Sequence, residues 1–308
     1  MNNIKTKFSI KDLENLSGIK AHTIRIWEKR YNLFAPNRTE TNIRYYSLKS
    51  LQKLLNISFL NRNGYKVSKI AKLKAEEIPN IVNEIAEHKD KNNYYVNLFK
   101  MSMLNFDQAI FYNTFNTLTR EHSFDDIFCN IFVPLLDKIG LLWQTNTITP
   151  AHEHFIVELI KQKILTSIDI AQTHLPIKQN KKIHVLFLPD NEIHEIGILY
   201  INYKLISIGF QSIYLGQSVP IDSLEYLKDY YEEITFVSSF TIKPEKDVLK
   251  TYLNEFSKKL LENTKNTFLV CGRMVELIDK TKIEPSIKVF STTNDLLQNN
   301  YHSNQKAV

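Results

Sequence analysis

The last third of the chain alternates short apolar runs with longer amphipathic stretches, and this alternation limits the possible folds more than any other feature. The runs are 182-KIHVLFLP-189, 211-QSIYLG-216, 234-ITFVSSF-240, 267-TFLVCG-272 and 287-IKVFS-291. Between them, 195–209, 221–231, 245–263 and a short segment after 272 carry apolar residues at helical spacing. Strands that are apolar along their whole length are buried on both faces, so the pattern predicts a parallel sheet covered by helices on both sides. The expected domain is a doubly wound, Rossmann-like one over 180–300, and such domains bind ligands where the carboxyl ends of their strands open. The stretch 192-EIHEIG-197 lies at one of those ends, in a chain with only seven glycines, with His194 three residues ahead of Gly197.

Charge separates the other end of the molecule from this one. Residues 1–75 hold 16 Lys/Arg and 4 Asp/Glu, a net of +12, whereas the remaining 233 carry a net of −6. A basic module on a mildly acidic body is the electrostatic footprint of a nucleic-acid-binding head. The length of 308 residues suggests two or three domains. There is no signal-peptide layout and no apolar run of about 18 residues, so a cytoplasmic protein without membrane partners is expected. The two cysteines, Cys129 and Cys271, are far apart and suggest neither a disulfide framework nor a thiolate zinc site. Both are expected to be buried.

In the basic head, 9-SIKDLENLSG-18 has a serine N-cap, a capping-box acid at Asp12 and a glycine stop. The next segment, 20-KAHTIRIWEKRY-31, reads as a second, basic helix. Together they form a helix-turn-helix pattern in which Trp27 faces inward. Residues 47–63 and 65–74 read as two more helices. From about 78 to 175, apolar residues recur at three and four, as in Val96, Phe99, Met103 and Phe106, or Ile127, Ile131, Leu135, Ile139 and Leu142. That spacing predicts four or five helices in a bundle. Pro150 opens the last of them, which bears His152, Glu153 and His154. The two histidines are two apart and point in different directions, so a shared zinc is not expected. The expected organisation is a winged head at 1–76, a helical bundle at 78–178, the parallel-sheet domain at 180–300 and a disordered tail at 301–308.

The segment 23-TIRIWEKRYNLFAPNRTETNIRYYS-47 resembles the MerR family of transcription regulators, whose recognition segment is followed by Pro, Arg and a Gly/Arg/Tyr wing. Asn42 stands where many relatives have Gly, and Asn tolerates a positive φ, so the wing turn is expected to survive. The resemblance implies duplex operator DNA as partner. Arg25, Arg38 and Arg44 are then spaced to grip phosphates, with Tyr45 or Tyr46 adding a hydroxyl or stacking contact. His22 and Thr23 become the expected base-edge readers.

The spacing Trp143-x9-Glu153-His154 is similar to the bundle that caps the upper face of adenosylcobalamin in CarH-like regulators. Likewise, Glu192-x-His194-x-x-Gly197, followed by 239-SFT-241, resembles the cobalamin-binding domain of corrinoid proteins, marked by DxHxxG, SxL and GG. This comparison implies cobalamin, most of all adenosylcobalamin, as cofactor, with His194 as the lower axial ligand of cobalt. Trp143, Glu153, His154, Glu192, Gly197, Gly216, Val219, Ser239, Thr241 and Gly272 would line the cofactor. Glu192 is one methylene longer than the family's Asp, so the carboxylate–imidazole relay is expected to bend or shift. Cys271 adds a side chain where the nucleotide tail would pass closest. The implied function is a DNA-binding regulator, not an enzyme. Its assembly as a dimer or tetramer, and hence its DNA affinity, would be set by cobalamin, with light as an input and RNA polymerase as a further partner. Two alternatives stay open: a MerR-type regulator whose repurposed pocket senses another ligand or a protein, and a corrinoid methyltransferase carrier.

Overall fold

The computed structural model describes residues 7–74, 76–88, 91–173, 182–278 and 283–301, and it divides into two compact units, Met1–Ile160 and Lys161–Val308. The first unit begins with helix α1 (Ile10–Ser17), whose start is fixed by the expected capping box of Ser9 and Asp12. Gly18, at φ 74°, ends it in the left-handed conformation that a side chain resists. Helix α2 (Ala21–Tyr31) follows and buries Ile24 and Trp27. The wing is a two-stranded antiparallel ribbon, β1 (Asn37–Arg38) and β2 (Arg44–Tyr45), with Asn42 at φ 65° in its turn. Helix α3 (Leu48–Arg62) is as expected, but the helix read over 65–74 is only the four residues of α4 (Val67–Ile70).

The bundle starts with α5 (Glu77–His88), α6 (Lys91–Asn105) and α7 (Gln108–Leu118). Next come α8 (Phe124–Ile127), a π turn at Phe128–Phe132 and α9 (Val133–Gln144), which run on without a break. Pro134 explains the wide turn: its ring supplies no N–H and crowds the carbonyl one turn back, and a π turn absorbs the misfit. Pro150 opens α10 (Pro150–Gln172). Ile127, Ile131, Leu135, Ile139 and Leu142 are all buried as the spacing predicts, and Phe99, Phe111, Phe115 and Phe132 form an aromatic core. Phe106 departs from expectation: it leaves the helix at φ 53° and stacks on His152. Cys129 departs as well, since it is exposed on the π turn rather than buried.

Five parallel strands form the sheet of the second unit: β3 (Lys182–Phe187), β4 (Ser212–Gly216), β5 (Glu233–Ser239), β6 (Thr267–Cys271) and β7 (Ile287–Phe290). Their order is β4-β3-β5-β6-β7. The chain therefore leaves β3 to one side and returns to the other, and the topological switch point lies between β3 and β5. Helix α11 (Ile196–Ser207), the short α12 (Ile221–Leu224) and α13 (Lys246–Phe256) connect the strands, and α14 (Thr293–Tyr301) ends the described chain. Phe187, Phe236 and Phe268 pack on Phe256 on one sheet face. Tyr301, read as the start of a tail, is the buried last residue of α14, and 302–308 lie outside the described residues. Among the described residues no helix is long and apolar enough to cross a membrane.

One charged group in the first unit is expensive. Lys100, 6% exposed, reaches the Leu16 carbonyl and the Asn97 amide oxygen, each at 3.3 Å. Burial, with the nearby Lys138 and Arg62 cations, pushes its ammonium down to about 7. The unfolded chain therefore binds more protons between that value and the ordinary lysine value of about 10.4, and stability should rise with pH across this window. In Lys100→Met this rise should be absent. Thermal unfolding of the two full-length proteins from pH 6 to 9 reads the difference, and parallel Tm profiles would contradict it.

Candidate functional site

The carboxyl end of β3 runs into 188-LPDNEIHE-195, a turn that the sequence builds from Pro189, Asp190 and Asn191. Asn191 takes φ 61°, its N–H is held by the Ser218 hydroxyl at 3.0 Å, and the Glu192 N–H closes the turn on the Pro189 carbonyl at 3.0 Å. This geometry carries the Glu192 side chain inward, where it is 0% exposed. One carboxylate oxygen accepts from the backbone N–H groups of Ile193 and His194 at 2.9 and 3.0 Å, and from the His194 ring at Nδ1 at 2.6 Å. The other oxygen accepts from Thr241, Ile242 and Lys243 N–H at 3.1, 2.7 and 2.9 Å, across the switch point at the exit of β5. The carboxylate–imidazole pair is therefore formed with glutamate at this position. The same carboxylate holds both loops.

Burial alone would raise the Glu192 carboxyl, but the hydrogen bonds from the His194 ring and from the Ile242, His194 and Lys243 backbones together pull it down to about 2. A carboxylate on Nδ1 fixes the proton there and leaves the imidazole lone pair on Nε2, the arrangement a soft metal centre requires. His194 itself is 42% exposed, so the ring can be approached. Next to it, Glu195 accepts from the Tyr214 hydroxyl and the Gln217 amide, each at 2.6 Å, and from Lys161 at 2.5 Å. Ile193, next to His194 in the chain, and Ile242, whose N–H donates to Glu192, are both exposed apolar side chains on the two loops. None of Ile193, Ile242, Glu195 or Lys161 was singled out in the sequence; an apolar residue beside the histidine was the one available signal.

The other expected residues fall into different roles. Gly216 ends β4 at φ 87°, and the carbonyls of Gly216 and Leu188 accept from the Leu188 and Val219 N–H groups at 3.0 and 2.9 Å, so both glycine and valine frame the turn. Gly197 faces Ser239 and Thr293, whose hydroxyl oxygens lie 3.9 and 3.5 Å from where its Cβ would be. Gly272, at φ 107°, is required by packing, since a Cβ there would meet the Phe240 carbonyl at 2.6 Å. The Cys271 thiol is fully buried, which pushes it up to about 11 against the lowering effect of the Ser239 and Thr293 hydroxyls. In the first unit, Trp143 is 51% exposed at the end of α9, Glu153 is half-buried and His154 exposed on the first turns of α10, and His152 is buried. No cluster of three or more metal-binding side chains occurs among the described residues.

In the head, His22 and Arg25 are exposed on α2, Thr23 is half-buried there, and Arg38 and Arg44 are exposed on the wing. Tyr45 is half-buried with the Lys7 ammonium 4.8 Å from its ring centre. Tyr46 must be withdrawn as a DNA contact: it is 0% exposed, and its hydroxyl donates to Glu28. Burial first, then the Glu28 carboxylate, pushes that hydroxyl far up, so it is a core strut between the wing and α2.

The stabilisation from Glu192 is fully present above the unfolded carboxyl value of about 4.3 and is lost as pH falls through the folded value near 2. Glu192→Gln should therefore cost on the order of 3 kcal/mol at neutral pH and remove the acid-dependent loss between pH 4 and 2, measured by urea unfolding at each pH.

Residues 8–77 match the family described as MerR HTH family regulatory protein, and residues 96–166 match the family described as B12 binding domain. Two curated relatives from Myxococcus xanthus, the HTH-type transcriptional repressors CarH and CarA, are each 26% identical to the chain. CarH aligns over 68% of this chain and 70% of its own length, and CarA over 70% of both. The fold is similar to that of the Methanosarcina barkeri monomethylamine corrinoid protein, with a TM-score of 0.55 at 14% identity, covering 67% of this chain and 97% of that one. A MerR match at the start of the chain, a B12-binding match in its middle and transcriptional repressors among its relatives together support a MerR-family regulator with a cobalamin-binding domain.

Proposed function

We propose that this cytoplasmic protein binds operator DNA through residues 1–76 and that cobalamin, held by residues of 78–178 and 180–300, sets how strongly it does so. The observation that carries this reading is the Glu192–His194 pair at the switch point of a parallel sheet, on the same chain as a basic winged helix-turn-helix. His194 would hold the cobalt through Nε2, with Glu192 fixing the ring and its tautomer. Ile193 and Ile242 would lie under the corrin, with Gly216, Val219, Ser239, Thr241 and Gly272 shaping the turns around it. Trp143, Glu153 and His154 would meet the upper ligand. When bound, adenosylcobalamin would supply a cobalt centre that an imidazole can ligate and a cobalt–carbon bond that light can break. In the head, Arg25, Arg38 and Arg44 would bind phosphates while His22 and Thr23 read base edges. Copies of the chain, as a dimer or tetramer, would engage neighbouring half-sites, and RNA polymerase would be the competing or recruited partner.

A second reading is favoured by one observation. The buried Cys271 thiol fills the sheet face beside Ser239 and Thr293 and would narrow any slot there. On that reading the pocket takes a different ligand and the head is unchanged.

Titration with hydroxocobalamin and adenosylcobalamin, followed by visible spectra, separates the readings. The wild type should give an imidazole-ligated spectrum, His194→Ala should lose that signature, and Glu192→Gln should bind about 10- to 100-fold more weakly. A wild-type protein that stays colourless with both corrinoids overturns the cobalamin reading. For the head, Arg25→Ala should weaken binding to unrelated duplexes alike and lower the slope of log K against log salt by about one. Anisotropy titrations at several salt concentrations measure this, and an unchanged slope would remove Arg25 from the interface.

A further inference from the structure

We propose that the loop between Trp143 and Glu153 controls the seating of the recognition helix within the same chain, through a hydrogen-bonded latch that joins Thr147 to Asn15. The effector that would act on this loop is the cobalamin of the proposed function, and the inference rests on that reading for the identity of the effector alone.

Thr147 is fully buried although it lies in a polar loop, 144-QTNTIT-149. Its hydroxyl oxygen accepts from the Asn15 amide at 2.9 Å and lies 2.9 Å from the Thr145 hydroxyl. Its N–H is held by the Leu142 carbonyl at 2.9 Å, and the preceding Asn146 turns at φ 52° onto the Trp143 carbonyl. On the far side, the Thr149 N–H and hydroxyl lie 3.2 and 2.8 Å from His152 Nδ1, at the start of α10. The loop is thus tied at both ends to the helices that carry Trp143 and Glu153-His154, and Thr147 is its fixed point.

Asn15 belongs to α1, and its two neighbours extend the connection into the head. Glu14 accepts from the Ala21 N–H at 3.2 Å, the first residue of α2, and so caps the helix that bears His22, Thr23 and Arg25. Leu16 offers its carbonyl to buried Lys100 of α6, and Ser17 offers its own to Arg62 of α3 at 2.8 Å. The Arg62 guanidinium on the carboxyl end of α1 suits the helix dipole, and with the Lys100 contact it leaves α1 little freedom to slide against the bundle. Gly18 completes the fit, because a Cβ there would press the Arg62 guanidinium at 2.9 Å. The route therefore runs from the loop to Thr147, Asn15, Glu14 and the amino end of α2 through direct contacts inside one compact unit. Coupling of this kind needs no change in the number of assembled copies, only a two-position element that the loop and the head share.

The test uses the full-length chain and its Thr147→Val, Thr147→Ser and Asn15→Ala variants. Hydrogen exchange of the α2 amides is read with and without adenosylcobalamin in the dark, and visible spectra score uptake on the same samples. Without cofactor, Thr147→Val and Asn15→Ala should each speed exchange of 21–31 by about fivefold, the loss of one net hydrogen bond, while Thr147→Ser stays near wild type. With cofactor, the wild type and Thr147→Ser should show a change in α2 exchange that Thr147→Val lacks at equal uptake. Wild-type exchange in cofactor-free Thr147→Val, or a full cofactor response in that variant, overturns the latch. Absence of corrinoid uptake by the wild type overturns the proposed function instead, and the cofactor-free comparison then decides the latch by itself.

Discussion

An ionised carboxylate removed from water must be given back its hydrogen bonds by the protein, and the second unit is arranged around that demand at Glu192. Five backbone N–H groups and one imidazole surround it. Those donors come from the loops that follow β3 and β5, which lie side by side only because the sheet order reverses between them. The anion thus links topology to chemistry: the switch point brings the donors together, the donors stabilise the charge, and the charge orients His194. A neutral residue at this position would loosen both loops at once, even before any ligand is considered.

The first unit solves a different problem, that of holding a small basic head in one orientation. Tyr46 joins the wing to α2 through Glu28, and the N-terminal strand residue Phe8 pairs with Tyr46 through two backbone bonds of 2.9 and 2.8 Å. The exposed arginines then project from a scaffold held by these bonds. Phe59 of α3 meets Tyr94 of α6 edge to face with centroids 6.3 Å apart, so the head shares its apolar core with the bundle. Aromatic contacts of that kind favour a fixed geometry over a loose tether.

Much of this was legible in the sequence because the signals were periodic or stereochemical. The capping box at Ser9 and Asp12, the inward Trp27, the buried stripe from Ile127 to Leu142 and the five apolar strands all follow from spacing and propensity. Misreadings came where a single residue's surroundings decide its role. Tyr45 and Tyr46 are adjacent and chemically identical, and only the pleat of the wing sends one outward and the other into the core. Cys129 looks like any buried thiol until the π turn rotates it outward. The 65–74 helix was overread because lysine-rich stretches satisfy helical spacing without an apolar face to bury. The Glu192 cradle was half visible: the motif placed a carboxylate near a histidine, but the three donors beyond residue 240 belong to another loop, and no local pattern points to them.

Glycine is scarce, and asparagine takes left-handed positions in its place at residues 32, 42, 146, 191 and 263. At Asn42 the exchange adds something a bare turn would lack. Its side-chain oxygen accepts from the Arg38 guanidinium at 2.6 Å, and its carbonyl does so at 3.3 Å. A long, flexible cation is thereby parked in one pose before any duplex arrives, with the remaining N–H groups of its fork still available to phosphate oxygens. Rotamer freedom that would otherwise be surrendered at the moment of association has already been given up in folding. On the proposed function, the wing would meet the double helix as a stiff fork.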